Sequence, residues 1–277
     1  MSGQAEVDIL GQGPDALLLP ALSSVATRRE MRPLAERLGG RLRCVLADWP
    51  GVGAPAGGRA LSPALIETYL GEAPGRLPLV MPLLGIAAGH GATFMVRDAM
   101  RHPGRYRGLV LVAPTWRGPL PTMTGGRRPG VCQGVRRVLE APLVGPALFA
   151  ANLSRPMVGW MLREHVYADR SAVTPMFVAE KHAVARRAGA RQATAAFVSG
   201  GLDPVASREG FLALFGEDLP PVLLVRPRGT PRRSAAEMDA LAESGRVRVA
   251  VVSGALAAHE ESPAEVADAV LAFLDRL

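Results

Sequence analysis

The segment 83–99, LLGIAAGHGATFMVRDA, constrains the fold more than any other part of the sequence. Its first six residues are apolar or small, and they predict a buried strand. Residues 89–92, Gly-His-Gly-Ala, predict a tight turn. Residues 93–100 predict a helix that packs back onto the sheet. A strand, a sharp turn and a helix in this order indicate one unit of an α/β sheet.

The rest of the sequence alternates in the same way on both sides of this segment. Apolar runs predict further strands at residues 6–10, 16–20, 42–47, 108–113, 221–225 and 246–252. Helical patterns cover residues 28–38, 62–70, 235–243 and 262–277. Because the strands are apolar on both faces, we expect a mostly parallel sheet that is flanked by helices on both sides.

Residues 117–199 interrupt this alternation. The stretch is helical by pattern, is punctuated by proline and glycine, and predicts an insertion over the carboxyl edge of the sheet. It divides the chain into a core of residues 1–116 and 200–277 and the insertion itself. After it, Asp203-Pro204 predicts a helix start, with Asp203 as the N-cap.

The charge distribution argues against nucleic-acid binding. The formal net charge is +7, and Lys181 is the only lysine. The arginines are scattered through helices and loops, and their densest cluster, residues 226–233, contains no aromatic side chain. We therefore expect no nucleic-acid partner.

Several further classes of protein are excluded by short sequence features. The two cysteines, Cys44 and Cys132, give neither a disulfide framework nor a metal-ligand spacing, so we expect no metal site. The Gly89-His90-Gly91 turn lacks the third glycine of a dinucleotide-binding motif, since Phe94 stands there, and we expect no cofactor. The uncharged segment 77–96 is long enough for a membrane span, but two prolines and the Gly-His-Gly turn break such a helix. With no signal peptide visible at residues 1–10, a cytoplasmic location is expected.

Five stretches, in order, resemble the α/β-hydrolase fold. They are LLLPAL with SSVATRREMRPLAERL, DWPGVG, AAGHGATF, GLVLVAP and SGALAAHEESPAEVADAVLAFL. The resemblance covers essentially the whole chain. It implies an α/β-hydrolase core domain, with residues 117–199 as a helical cap.

The resemblance also implies where a catalytic triad would stand. In the family a nucleophile elbow has the pattern small-x-nucleophile-x-small-small, and the triad follows the chain order nucleophile, acid, base. Laid on residues 87–92, the pattern puts Gly89 at the nucleophile position. The acid position falls on Thr230 and the base position on Leu256. An alternative alignment makes His259 the base. All three positions therefore look altered, and Gly89 has no side chain with which to attack a substrate.

Other residues are candidates for a substitute chemistry. His90, Asp203 and His259 could replace triad members, and Ser23 and Ser24 offer hydroxyls in the predicted oxyanion loop. Each also has a structural interpretation: packing for His90, turn hydrogen bonding for the serines and N-capping for Asp203.

An oxyanion hole needs only backbone N–H groups, here those of His90 and of the loop 21–23. We expect the binding pocket to be lined by residues including Leu22, Ser23, Gly89, His90 and Trp116.

Two functional hypotheses follow. In the first, the protein has lost hydrolytic catalysis and binds a small apolar ligand or a protein partner at the capped pocket. In the second, it is an active esterase-like hydrolase or a cofactor-free lyase with non-standard catalytic residues. The fold alone does not choose between them.

Overall fold

The computed structural model describes residues 6–51, 61–126, 129–187 and 189–277. Within these residues one sheet of seven strands runs through the molecule, in the order β1-β3-β2-β4-β5-β6-β7. The strands are β1 (Val7–Leu10), β2 (Asp15–Leu19), β3 (Arg43–Ala47), β4 (Leu83–Ala88), β5 (Tyr106–Val112), β6 (Val222–Pro227) and β7 (Arg248–Val252).

The sheet is parallel except at one edge. β1 pairs antiparallel with β3, and all the other neighbouring strands are parallel. This confirms the predicted, mostly parallel sheet. The carboxyl ends of β4 and β5 lie side by side, because Ala88 is in register with Val112. The turns that follow these two strands are therefore neighbours in space.

Helices join the strands and cover both faces of the sheet. The helices of the core are α1 (Arg32–Leu38), α2 (Pro63–Gly71), α3 (Ala73–Arg76), α4 (Gly89–Arg101), α11 (Arg208–Ala213), α12 (Arg232–Glu243), α13 (Ala258–Glu261) and α14 (Pro263–Leu274). A 3₁₀ turn at Arg28–Met31 precedes α1. The predicted start of α2 is confirmed, since the Ser62 hydroxyl accepts a hydrogen bond from the Leu65 N–H.

The insertion between β5 and β6 is helical, as its pattern predicted. It contains α5 (Pro119–Thr124), α6 (Pro129–Glu140), α7 (Val144–Asn152), α8 (Arg155–Met161), α9 (Pro175–Ala185) and α10 (Ala190–Val198). One π-helical turn, Leu162–Val166, follows α8. A small apolar cluster holds part of the insertion against the core, through Val25 in the loop after β2 and Ala257 just before α13.

Two apolar cores lie on opposite faces of the sheet. Every residue of β2 is buried, and its side chains alternate: Leu17 and Leu19 join one core, while Leu18 joins the other. Full burial of one leucine side chain stabilises the fold by about 2 kcal/mol. Because both faces of these strands are buried, their sequences are continuously apolar rather than alternating.

The sequence prediction was wrong at the turn after β4. Residues 89–92 were expected to form a turn before a helix from residue 93, but α4 begins at Gly89 itself. The whole change of direction is made at Gly89, whose φ of +52° lies in the left-handed region. One residue suffices because glycine adopts this conformation without steric cost.

Candidate functional site

The elbow between β4 and α4 forms one wall of the candidate site. A Cβ atom added at Gly89 would lie 3.4 Å from Ala21 Cβ and 3.8 Å from Thr115 Oγ1, both ordinary contacts. The N–H groups in the first turn of α4, which include that of His90, have no acceptor within the helix. The elbow therefore keeps a potential oxyanion donor beside a position that has no side chain.

His90 connects two polar residues that the sequence does not place together. Its Nδ1 lies 3.0 Å from Thr115 Oγ1, and its Nε2 lies 3.2 Å from Asp203 Oδ1. The imidazole is 2% exposed, and Phe197 packs edge-on against it at 5.4 Å between ring centroids. Thr115, His90 and Asp203 thus form a continuous hydroxyl–imidazole–carboxylate chain, which we call the Thr115 chain.

The partners fix the tautomer of a neutral His90. A carboxylate only accepts hydrogen bonds, so Nε2 carries the proton and donates it to Asp203. Nδ1 then has a free lone pair and accepts the Thr115 O–H. The histidine therefore has its basic nitrogen turned toward a hydroxyl and its N–H turned toward a carboxylate.

Asp203 has a different role from the N-cap predicted for it. The next helix, α11, begins at Arg208 and is capped by Ser207, whose hydroxyl accepts from the Gly210 N–H. Asp203 Oδ1 instead accepts from the Gly118 N–H at 2.7 Å and contacts His90. The prediction failed because the loop after α10 turns Asp203 back toward the start of the insertion rather than along the chain.

Thr115 is a functional candidate that sequence reasoning missed. Its N–H donates to the Gly89 carbonyl at 3.1 Å, and its own carbonyl accepts from the Thr93 hydroxyl at 2.9 Å. These bonds fix the loop after β5 against the elbow. The available signal was its place just beyond β5, next to β4 in a parallel sheet, where such ends meet.

Two cavities open beside the Thr115 chain. The first, about 390 Å³, is lined by Thr115, Trp116 and the first turns of α12, among others. The second, about 550 Å³, is lined by Asp203, Ser199 and residues of α6. Thr115 lines the first cavity and Asp203 the second, so the two ends of the Thr115 chain lie at different cavities, and Trp116 and Arg117 border both.

Trp116 is fixed at the boundary between these cavities. It is 1% exposed, its ring stacks on Phe211 at 6.2 Å, and its Nε1–H donates to Glu237 at 3.2 Å. The Arg117 guanidinium lies 4.2 Å from the centroid of the same ring. Of the five predicted lining residues, Trp116 alone borders these two cavities, whose walls are polar as well as apolar.

The residues predicted at the acid and base positions have no acid–base chemistry. The Thr230 hydroxyl is buried and donates to the Pro227 carbonyl at 2.9 Å. Leu256 is half-buried and packs against an apolar core. Thr230 and Leu256 therefore stabilise local structure and offer no carboxylate or imidazole at these two positions.

The loop after β2 is the second predicted source of oxyanion donors. Its Ala21 N–H donates to Glu30 Oε1 at 2.8 Å and is already occupied. Leu22 is 1% exposed and belongs to a core, while the Ser23 hydroxyl accepts from the Val25 N–H at 3.4 Å. The turn hydrogen bonding considered for the serines is therefore present at Ser23.

His259 belongs to a separate buried cluster. Its Nε2 lies 3.2 Å from Glu30 Oε1, and Glu30 Oε2 lies 3.6 Å from the Lys181 ammonium. Lys181 also donates to Glu260 at 2.8 Å, and the Tyr167 hydroxyl donates to the same carboxylate. Lys181 and Tyr167 come from the insertion, so the cluster joins the insertion to the core beside the loop after β2.

The charges of this cluster stabilise one another. Burial would raise the pKa of Glu30, but His259, Lys181 and the Ala21 N–H together more than offset this, and its pKa is lowered. Burial would lower the pKa of Lys181, yet Glu30 and Glu260 raise it above its usual value. Burial, followed by the charges of Glu260 and Glu30, raises the pKa of Tyr167 far above its usual range. Glu30 and Lys181 therefore stay charged through the neutral range.

Two other kinds of site have no counterpart in the described part of the chain. Across residues 6–51, 61–126, 129–187 and 189–277, no group of three or more His, Cys, Asp or Glu side chains is placed to hold a metal ion. Within the same ranges, no helix combines the length and the apolar character needed to cross a membrane.

Comparison with known proteins was informative only at the level of structure. No family model and no curated protein matches the sequence. Solved structures do match. Cfl2 from Burkholderia cenocepacia is 22% identical with a TM-score of 0.73, covering 96% of this chain and 90% of its own.

A malate-bound esterase from Thermogutta terrifontis is 19% identical, with a TM-score of 0.70 over 98% of this chain and 93% of the esterase. A mutant meta-cleavage product hydrolase from Pseudomonas fluorescens IP01, complexed with acetates, is 15% identical with a TM-score of 0.71, over 98% of this chain and 94% of the hydrolase. Similarity at these identities concerns the fold rather than the activity. The strand order, the elbow after β4 and these structural matches together show that this chain has the α/β-hydrolase fold.

Proposed function

We propose that this protein binds a small molecule that carries one carbonyl or oxyanion oxygen beside the elbow, and that it has lost the hydrolytic triad of its fold. The observation that carries the proposal is the elbow itself. Gly89 leaves the nucleophile position without a side chain, a Cβ there would make only ordinary contacts, and the adjacent N–H of His90 remains at the start of a helix. Such N–H groups stabilise a negative oxygen without any help from side chains.

The acid and base positions support the loss of the triad. Thr230 uses its hydroxyl in a local turn, and Leu256 contributes an apolar side chain. His259, the alternative base, is almost fully buried, and its Nε2 lies 3.2 Å from a carboxylate oxygen of the buried Glu30. A nucleophile placed at residue 89 would therefore have neither the base nor the acid that activates it in the family's triad.

The helical insertion completes the proposed site as a cap. Residues 117–199 contribute Arg117 and Ser199 to the walls of the two cavities, and Trp116 stands at the boundary with the core. Trp116 is almost fully buried at this boundary and supports the apolar part of a wall that is otherwise partly polar. We therefore expect a small ligand with an apolar body and one oxygen-bearing end, and no bound cofactor.

Binding is tested by titrating ¹⁵N-labelled protein with acetate, malate and a substituted phenolate. We expect the amide resonance of His90 to shift with saturation, together with Leu22 or Ser23 of the loop after β2. The amides of β7 serve as an internal control. Shifts spread evenly over the surface, or none at millimolar ligand, would contradict the proposal.

A matched pair of variants tests the position of the ligand. Gly89→Met should abolish binding, because its long side chain would extend into the position proposed for the ligand oxygen. Gly89→Ala has the same left-handed backbone strain, but its Cβ makes only ordinary contacts, so it should retain binding. Equal affinity for both variants would place the ligand elsewhere.

A further inference from the structure

We propose that Thr115, held by His90 and Asp203, is a nucleophile for acyl transfer from a small carboxylic ester bound beside the elbow. The proposal rests on the proposed function for the position of the ester carbonyl. It adds a reaction, and it moves the reactive hydroxyl from the elbow to the loop after the neighbouring strand. The proposal is based on the closeness of the Thr115 chain to Gly89, the nucleophile position that has no side chain.

The order of the three groups is the order that nucleophilic catalysis requires. The hydroxyl lies 3.0 Å from a nitrogen of a buried imidazole, and the other ring nitrogen lies 3.2 Å from a carboxylate. His90 Nδ1 is the base, and Asp203 orients the ring and stabilises the imidazolium that forms. In the serine–histidine–aspartate triad Nε2 faces the hydroxyl and Nδ1 faces the carboxylate. In His90 these two positions are reversed, but the order of hydroxyl, imidazole and carboxylate is the same.

The imidazole is held in this orientation from several sides. Phe197 packs against its ring, and the Gly118 N–H fixes the Asp203 oxygen that His90 contacts. Asp203 keeps its side chain 17% exposed, so its charge is only partly removed from water. A base held in one rotamer needs no reorganisation before proton transfer.

The hydroxyl also lies where a carbonyl bound at the elbow can be reached. Thr115 Oγ1 is 3.8 Å from the Cβ position of residue 89, which is the root of a nucleophile in the family's elbow. Thr115 also lines the cavity of about 390 Å³, which has room for a small ester.

The proposed reaction consumes only the ester and one water molecule. Thr115 Oγ1 attacks the ester carbon while its proton moves to His90 Nδ1, and the imidazolium returns that proton to the departing alkoxide, which leaves as an alcohol. Water then attacks the acyl–Thr115 ester, with His90 again accepting and returning a proton. The products are a carboxylic acid and the free hydroxyl.

The experiment uses the full-length protein with p-nitrophenyl acetate, following phenolate release and the site of acetylation by peptide mass spectrometry. We expect a burst of phenolate and acetylation at Thr115. Thr115→Val should reduce turnover to the uncatalysed rate, whereas Thr115→Ser should retain it. Asp203→Asn should lower the rate by about 10²- to 10⁴-fold, because the wrong tautomer is then favoured.

The control is Thr68→Val on α2, since Thr68 is exposed and its hydroxyl donates within its own helix to the Ala64 carbonyl. It should leave turnover unchanged. Circular dichroism of each variant shows whether the fold is retained.

Two results would overturn this inference. One is wild-type turnover that Thr115→Val leaves unchanged, and the other is the absence of both turnover and acetylation at Thr115. If the His90 amide still responds to acetate in the second case, the proposed binding function stands and only the acyl transfer fails. If neither binding nor turnover is found, both proposals fail.

Discussion

Replacing Lys181 by methionine tests the buried charge cluster between the insertion and the core. The Lys181 side chain is 10% exposed, and its ammonium lies 2.8 Å from Glu260 and 3.6 Å from Glu30. Methionine keeps an unbranched apolar stem of similar length but removes the charge. Glu30, itself 5% exposed, would lose the ammonium whose charge helps to hold its pKa down.

The expected loss in the free energy of unfolding depends on how deeply the charges are buried rather than on the number of contacts. Removing one partner of a buried ion pair leaves an uncompensated charge and typically destabilises a protein by about 3–5 kcal/mol. In a domain of this size, each kcal/mol lowers Tm by about 2–4 °C. We therefore expect Lys181→Met to lower Tm by roughly 6–20 °C.

The effect should depend on pH in a defined direction. The pKa of Glu30 is lowered from 4.5 in the folded protein, so its charge contributes stability above pH 4.5 that is lost as pH falls through the lower folded value. The pKa of Lys181 is raised from 10.5, so its contribution is complete below pH 10.5 and is lost only in stronger alkali. The cost of Lys181→Met should be largest near neutrality and shrink below about pH 4.5.

Urea unfolding of wild type and variant at pH 7 and pH 4 gives the two free-energy differences. Arg170→Met is the control. It removes an exposed pair with Glu164 in the same insertion, with exposed fractions of 65% and 35%, and should cost no more than about 1 kcal/mol. In the double variant with Glu30→Gln, the combined loss should be smaller than the sum of the two single losses. A cost below about 1 kcal/mol at pH 7 for Lys181→Met, or a cost independent of pH, would refute the reasoning.

Two further predictions concern the elbow and a buried thiol. Gly89→Ser should fold, but its free energy of unfolding should fall by about 1–2 kcal/mol, because residue 89 has a φ of +52°. The variant should gain no ester hydrolysis through the new hydroxyl, since Leu256 cannot act as its base. Thermal unfolding and a p-nitrophenyl acetate assay check both parts, and a clear gain in hydrolysis with acetylation mapped to residue 89 would contradict the alignment of the base. Burial raises the pKa of Cys44 to about 12, so this thiol should not react with Ellman's reagent at pH 8 until urea unfolds the protein. Native-state labelling of Cys44, identified by peptide mass, would show that β3 opens under these conditions.

Most of the fold could be predicted because it is encoded by local patterns. The apolar runs of β2, β4 and β5 are continuous, and the structure buries both of their faces. The start of α2 follows from one N-cap and one proline. These patterns involve neighbours in the sequence, and their physical effect does not depend on distant residues.

Strand and helix boundaries were less accurate for a physical reason. β6 was expected at residues 221–225 but continues to Pro227, because the Arg228 N–H still donates to the Val252 carbonyl at its end. α12 begins at Arg232 rather than at residue 235, although its first residues are polar. Such limits depend on bonds and contacts beyond each element's own apolar pattern.

The candidate site could be predicted only in part, because its members are distant in the sequence. Gly89 and His90 were found through the elbow, whose pattern is local. Asp203 was named, but its side chain was assigned to the helix that follows it, since no local pattern shows that it turns toward the Gly118 N–H. No local sequence pattern marks Thr115 as a site residue.

Thr115 becomes significant only when the strand order is known. β4 and β5 are parallel neighbours in register, so the loop after β5, which contains Thr115 three residues beyond Val112, lies beside the residue just after β4. The hydrogen bond from the Thr115 N–H to the Gly89 carbonyl is the direct consequence. When a sequence lacks a nucleophile at the elbow, the ends of the adjacent parallel strands are therefore the first places to look for a hydroxyl that could replace it.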